Sequence, residues 1–229
     1  AAGAGAEQNN GAVITHEEQN LKQPLFGAVH SFAVLDSDLT KTVPMNQVIS
    51  GAFDTLSHCM ETYMGKPQTT NLSDEINEAI MRNVITNLRH LVQNPDDDFA
   101  RGELMWASAI AENGMLKLGK QTDFQCHMIE HAVGAYTDCN HGQGLAVIHP
   151  ALYRRLLKAG KEKLARMAEN VWQVKGATTE ETAVRGIEAL ETFIREIGLP
   201  THWSEMGITD ESLLRTAANT CIITQGCCR

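Results

Sequence analysis

From about Met45 onward the chain keeps a helical hydrophobic period, and that period limits the fold more than any other feature. Ile76, Ile80, Val84, Leu88 and Leu91 recur at spacings of four and three. Such spacing draws one apolar stripe along an α-helix, and the step of three from Leu88 to Leu91 breaks the even spacing that one face of a strand requires. Asn71 or Ser73 can cap the first turn, and Asn94-Pro95 stops the helix. Residues 104–118 continue in the same period. Thr178-x-x-Glu181 reads as a capping box ahead of Ile187, Leu190 and Ile194, with Gly198-Leu-Pro200 as the stop. No internal repeat interrupts the pattern. An all-helical domain is therefore expected over residues 41–229.

Residues 1–40 read differently. Gly11-Ala-Val-Ile-Thr15 and Phe32-Ala-Val-Leu-Asp36 are short apolar runs rich in Val and Ile, separated by polar residues and Pro24. Both predict strands. Two strands alone are marginal in water. Residues 1–40 are thus expected to be the tail end of an α/β, Rossmann-like domain whose main sheet lies upstream. The opening Ala- and Gly-rich run, without an initiator Met, and the closing Gly226-Cys-Cys-Arg229 read as the ends of a fragment.

Composition removes several classes of function. A hydrophobic fraction of 43% supports a real core, while a net charge of -9 and a pI near 5.4 argue against nucleic acid or an anionic membrane as partner. No stretch approaches the roughly 20 apolar residues of a membrane span. The six cysteines are expected to be free thiols of a cytoplasmic protein, because a chain of this length needs no covalent staples.

The chemistry concentrates in two clusters. Asp54 and His58 stand one helical turn apart in Gly51-Ala-Phe-Asp-Thr-Leu-Ser-His58, which puts a carboxylate and an imidazole on one face. An Asp–His hydrogen bond or a solvated face explains that pair equally well. His127 and His131 repeat the spacing, and Asn140-His141-Gly142 follows at a loop-to-helix junction. Four of the nine histidines fall in these clusters, so independent structural roles for all four become the weaker explanation. Imidazoles with one carboxylate suit Fe²⁺ or Zn²⁺ rather than the all-oxygen cages of Ca²⁺ or Mg²⁺. A thiolate site using Cys59, Cys126 or Cys139 is the alternative. Cys59 and Cys126 are sequence neighbours of candidate ligands, however, and on a helix they point about 100° away.

The order G-x-x-D-x-x-x-H, H-x-x-x-H and H-G resembles the iron-containing alcohol dehydrogenases, with a fold like that of dehydroquinate synthase. Glu7, Lys22, Pro44, Glu61-Thr-Tyr63 and the Gly142-x-Gly-Leu-Ala-Val-Ile-x-Pro150 run also fit. Thr224-x-Gly-Cys-Cys-Arg229 looks like the butanol dehydrogenase branch. The resemblance implies that Asp54, His58, His127 and His141 bind the metal. It puts His131 beside nicotinamide and substrate, as a proton relay or a positioning group. It implies that Ala1, Ala2, Asn9 and Lys22 approach an NAD(H) or NADP(H) cofactor, although Lys22 taken alone reads as a solvated charge. The implied reaction is hydride transfer between that cofactor and a primary alcohol or aldehyde, in a protein whose copies can pair as a homodimer. Three departures concern the cofactor side: Ala4-Gly-Ala-Glu7 stands for the usual Thr-Gly-Ser-Glu, Asp36-Ser37 for Asp-Pro, and His30 for a Pro. The Gly-rich pyrophosphate loop belongs upstream of Ala1. Rival readings are a metal-dependent hydrolase, a non-enzymatic metal-binding helical module, and the glycerol dehydrogenase and dehydroquinate synthase relatives, which use other ligand sets.

Overall fold

A helix buried on every side beyond its first turn organises the molecule. In α1, Met45–Tyr63, every residue from Ser50 to Tyr63 is buried, polar ones included. Burial on all sides marks a central element rather than a surface helix. In this computed structural model, which describes residues 3–27, 29–122 and 124–221, three helices pack against α1. They are α2, Leu72–Gln93, α3, Asp98–Glu112, and α5, His141–Met167. The remaining helices build outward: α4, Gln125–Thr137, lies on α5, α6, Thr179–Glu196, runs along α5, and α7, Glu211–Thr220, covers α4. A π-turn at Ala168–Trp172 prolongs α5. The domain is mainly helical, as the period predicts.

The helix ends explain where each element stops. Asn71 accepts from the Asp74 N–H, and the Asp74 carboxylate returns a bond to the Asn71 N–H, a complete capping box on α2. At α6 the Thr178 hydroxyl accepts from Glu181, but Glu181 reaches the Ala177 N–H at 2.7 Å, one residue ahead of the cap. Gly198, at φ +76°, closes α6 with its N–H on Arg195 O and the next N–H on Ile194 O, satisfying two carbonyls the helix leaves free. One sequence expectation fails here. The helix over 104–118 ends at Glu112, because Gly114 turns left-handed at φ +92°, and only a 3₁₀ turn at Met115–Lys117 follows.

A buried charge cluster fastens α2 to α5. Lys163, 2% exposed, pairs with Asp74, and Lys120 takes the other Asp74 oxygen at 2.5 Å. Both ammonium groups lie over the Tyr63 ring of α1, at 4.4 and 5.8 Å. Pairing with a shared carboxylate offsets the desolvation of two buried cations, and the ring face adds attraction.

The N-terminal hairpin corrects a second expectation. β1, Gly11–His16, is where the Val/Ile run predicts it, but its partner is β2, Leu21–Phe26, antiparallel and in register from Gly11 opposite Phe26 to His16 opposite Leu21. Pro24 sits inside β2, tolerated because both strands of a two-stranded sheet are edges. Residues 32–36 are not in a strand. Val13, Ile14, Leu25, Phe26, Phe32 and Val34 are all at least half exposed, so this segment offers an apolar surface. β2 packs against α4 and brings Lys22 inward.

The approach of α5 to α1 depends on Gly142. A Cβ built there would overlap the Ser50 backbone carbonyl, an atom that cannot swing aside. Gly142→Ala is expected to destabilise the chain by about 1–3 kcal/mol, the usual cost of overpacking. The checks are the midpoint of urea unfolding and, because the neighbouring His141 moves with α5, loss of divalent-ion affinity. Wild-type values for both would remove the close-approach argument.

Candidate metal centre

Asp54 lies in the middle of α1, 7% exposed, and two histidines from other helices turn to it. His127, in the first turn of α4, brings Nε2 to 3.2 Å from Asp54 Oδ1. His141, the first residue of α5, brings Nε2 to 3.5 Å from the same oxygen. His141 is held there by the Asn140 cap, whose side chain accepts from Gln143 N–H and also from the Ser50 hydroxyl of α1. Donor atoms of Asp54, His127 and His141 lie within 4.8 Å of one another. His58 stands outside that group. Its Nδ1 is 3.7 Å from Asp54 Oδ1, and its ring stacks on His127 at 4.3 Å between centroids.

Each of the two converging histidines has a carboxylate behind it. Glu61 of α1 bonds His127 Nδ1, and Glu130 of α4 bonds His141 Nδ1. Both carboxylates are almost wholly buried. With Nδ1–H donated to a carboxylate, Nε2 keeps its lone pair for a metal, the usual way a protein fixes a ligating imidazole. Glu61 also accepts from the Cys126 N–H at 2.6 Å, which ties it to the start of α4. Sequence reasoning missed these two partners. Their signal was present: Glu61 follows His58 by three residues, and Glu130 follows His127 by three, spacings that share a helix face.

The electrostatics follow from this crowding. Burial opposes the Asp54 charge, yet the surrounding imidazoles of His58, His127 and His141 hold its carboxyl well below the ordinary range. Burial also opposes a charged His127, but Glu61 and Asp54 outweigh it and lift its pKa to about 10. His141 is raised for the same reason by Asp54 and Glu130. His58, buried with an unbonded Nδ1, is lowered by desolvation. His131 is pushed down to about 2 by burial and by the positive neighbours His141 and Lys22, so it is a neutral imidazole.

The other candidates fall around this centre. His131 has no hydrogen-bond partner at Nδ1, and its ring lies 5.4 Å from that of His141. Lys22 is no solvated charge: its Nζ is 3.2 Å from Glu130 Oε2. Asn9 braces a turn, donating to Ala4 O and Gly5 O at 3.0 Å each and accepting from Gly11 N–H. In that same segment Gly3, at φ +93°, abuts Gly51 O and Asp54 Oδ2 with no room for a side chain. Ala1, Ala2, Cys227 and Cys228 lie outside the described residues. Cys59 is packed in the core, and Cys139 Sγ faces Glu130 at 3.8 Å. Cys126 Sγ faces His149 Nδ1 at 3.4 Å, while His149 Nε2 meets the Ser57 hydroxyl at 2.6 Å. These thiols stand behind the histidines rather than among the donors around Asp54.

The residues fit a divalent ion. Three donors converge on one point, two carry carboxylate partners, and the buried Nδ1 of His58 has nothing to bond. An orphaned buried nitrogen costs about 1–3 kcal/mol, a penalty that ring reorientation onto an ion would relieve. Phe124, in a left-handed conformation at φ +49°, walls the site, with its ring 5.9 Å from His58 and 5.2 Å from His127.

Comparison with known proteins gives the family. Residues 48–228 match the sequence model of the Fe-containing alcohol dehydrogenase family, C-terminal. NADH-dependent butanol dehydrogenase A of Clostridium acetobutylicum is 36% identical over 216 residues, 91% of this chain and 55% of that protein. NADPH-dependent aldehyde reductase YqhD of Escherichia coli is 33% identical over 212 residues, 91% of this chain and 54% of its own length. The crystal structure of NADH-dependent butanol dehydrogenase A from Thermotoga maritima superposes with a TM-score of 0.90 at 29% identity, over 95% of this chain and 56% of that one. The chain thus spans about half the length of the curated relatives it matches.

The raised His127 pKa makes metal uptake pH-dependent. Below about 10 its imidazole carries a proton in the metal-free chain, and that proton must leave before Nε2 can bind an ion. Calorimetry of Zn²⁺ binding in buffers of different ionisation enthalpy should therefore find about one proton or more released per ion near pH 7–8. The release should shrink as pH rises past 10. Binding with no proton release at neutral pH would show that His127 is neutral and that Glu61 and Asp54 do not act on it as described.

Proposed function

The chain belongs to the Fe-containing alcohol dehydrogenase family, and we propose that the whole protein transfers a hydride between a nicotinamide cofactor and a primary alcohol or aldehyde at a divalent metal held by Asp54, His58, His127 and His141. One observation carries this reading. Asp54 Oδ1 is faced by two imidazole Nε2 atoms, each backed at Nδ1 by a buried carboxylate. A bound Fe²⁺ or Zn²⁺ would act there as a Lewis acid toward the alcohol or carbonyl oxygen, and the nicotinamide would carry the redox chemistry.

The chain's own residues do the rest. Glu61 and Glu130 hold the two imidazoles in the ligating tautomer. Phe124 and the packed face of α1 exclude water, which strengthens every charge interaction inside. His131, kept neutral, is a hydrogen-bonding group beside the site. It orients the substrate hydroxyl and exchanges its proton at the ring nitrogen that faces it. Asn9 and Lys22, with Ala1 and Ala2 on the strength of the family likeness alone, are assigned to NAD(H) or NADP(H), and the close approach of Gly3 to Asp54 supports a short distance between the N-terminal segment and the metal. Residues 1–40 are the tail of a cofactor-binding α/β domain, and 41–229 the metal-binding domain. The exposed apolar hairpin supports that division, since such a surface is one that another layer would cover. Relatives named as butanol dehydrogenases and an aldehyde reductase support a small alcohol or aldehyde as substrate. No helix among the described residues is long and apolar enough to cross a membrane, and a cytoplasmic location goes with this reading.

Metal content and turnover separate the roles. His127→Ala and His141→Ala are expected to lose the bound ion, read by elemental analysis of purified protein after loading with Zn²⁺ or Fe²⁺. His131→Ala should keep its metal while the whole protein loses alcohol oxidation by about 10²–10⁴-fold, the usual range for a proton-handling group. Full metal in His141→Ala would remove His141 from the ligand set. An emptied site in His131→Ala would exchange the roles assigned to the two α4 histidines.

A further inference from the structure

Glu130 sits in a cavity shaped for it. Its side chain is fully buried, and Oε2 is shared by two donors from different parts of the fold, His141 Nδ1 of α5 and Lys22 Nζ of β2. Two glycines make the room. A Cβ on Gly144 of α5 would come to 2.8 Å from Glu130 Cγ, and one on Gly134 of α4 would come to 3.0 Å from Glu130 Oε1 and 3.2 Å from Lys22 Nζ. The carboxylate and the ammonium therefore occupy space that any other residue at positions 134 or 144 would take. Lys22 itself is the inward side chain of a hairpin whose neighbours Ile14, Leu25 and Phe26 are exposed.

We propose that Glu130 is the positioning residue for His141 and that Lys22 acts on the metal centre through Glu130, so that the hairpin is mechanically part of that centre. The proposal rests on the metal reading above but adds a route that reading does not need. A carboxylate with two charge-assisted donors has a fixed orientation, whereas one with a single donor can rotate. Losing Lys22 thus loosens Glu130, and a loosened Glu130 lets the His141 ring turn its Nε2 away from Asp54. The same route runs in reverse. Anything that engages Lys22 from the hairpin side, an anionic cofactor group included, alters the hold on His141.

A double-mutant cycle on the 229-residue chain tests this, with Co²⁺ as the probe because its visible d–d bands report both affinity and ligand geometry. Circular dichroism confirms that each variant is folded. Glu130→Gln keeps the shape and removes the charge, and is expected to weaken Co²⁺ binding about 10–100-fold with altered bands, the range found for outer-shell partners of ligating histidines. Lys22→Met is expected to change affinity by about threefold or more with Glu130 present and by less than about twofold in the Glu130→Gln background, because residues acting through one another are not additive. A purely electrostatic effect of Lys22 on the ion would be alike in both backgrounds, and that result would overturn the route through Glu130. Wild-type affinity and bands in Glu130→Gln would remove its positioning role. If a variant fails to fold, the ¹⁵N spectrum of His141 in the wild type decides instead: an Nδ1–H tautomer with a strongly downfield proton supports the proposal, and an Nε2–H tautomer contradicts it. Failure of the wild-type chain to bind Co²⁺ at all would count against the metal centre itself, a different outcome from any of these.

Discussion

A carboxylate in the middle of a helix that is buried on every side from Ser50 to Tyr63 is the constraint from which the rest of the site follows. Asp54 cannot shed its charge to water, so the fold supplies partners, and they come from three places: the next turn of α1, the start of α4 and the start of α5. A lone buried carboxylate would protonate or destabilise the helix. One faced by imidazoles stays charged and forms a preset pole for a dication. The arrangement also fixes where the helices must begin. His127 and His141 stand at or next to N-termini, so small changes in the caps would move the donors directly.

Positive charge is rationed around this centre. Glu61 and Glu130 sit behind the histidines, and Glu112 lies 4.0 Å from His58 Nε2. Lys117 pairs with Glu112 and lies over the Phe124 ring at 4.7 Å, and Lys22 pairs with Glu130. Both lysines are thus tied to acidic groups rather than facing Asp54. Under the proposed function a divalent ion would add positive charge beside these carboxylates. The close approaches that permit it are made by glycines: Gly3 against Asp54, Gly142 against Ser50, and Gly134 and Gly144 around Glu130.

Much of this was legible in the sequence, for physical reasons that differ from residue to residue. Turn spacing marks Asp54 with His58 and His127 with His131, but it is the motif order of the family resemblance that sets Asp54, His58, His127 and His141 apart, and donor atoms of Asp54, His127 and His141 lie within 4.8 Å of one another. The α2 stripe and the Gly198 stop depend on local chemistry alone, and both agree with the structure. Glu61 and Glu130 were harder to see. A carboxylate on a helix usually faces water, and only the tertiary contacts, Glu61 with the start of α4 and Glu130 with the start of α5, reveal that these do not. Lys22 was misleading for the same reason, since its partner is far along the chain. The second strand was misplaced because Pro24 argued against the segment that pairs, and edge position, which excuses a proline, cannot be read from sequence.

The central claim is that imidazole and carboxylate, without thiolate, form the metal centre, although Cys59, Cys126 and Cys139 are its neighbours in sequence. X-ray absorption at the zinc edge of the Zn²⁺-loaded chain tests it most directly. The account predicts a shell of nitrogen and oxygen scatterers at about 2.0–2.1 Å with the outer-shell pattern of imidazole rings, and no sulfur shell. A sulfur shell at about 2.3 Å would contradict it, and would move the ion to the Cys126 side of His127, where Glu61 and His149 also offer donors.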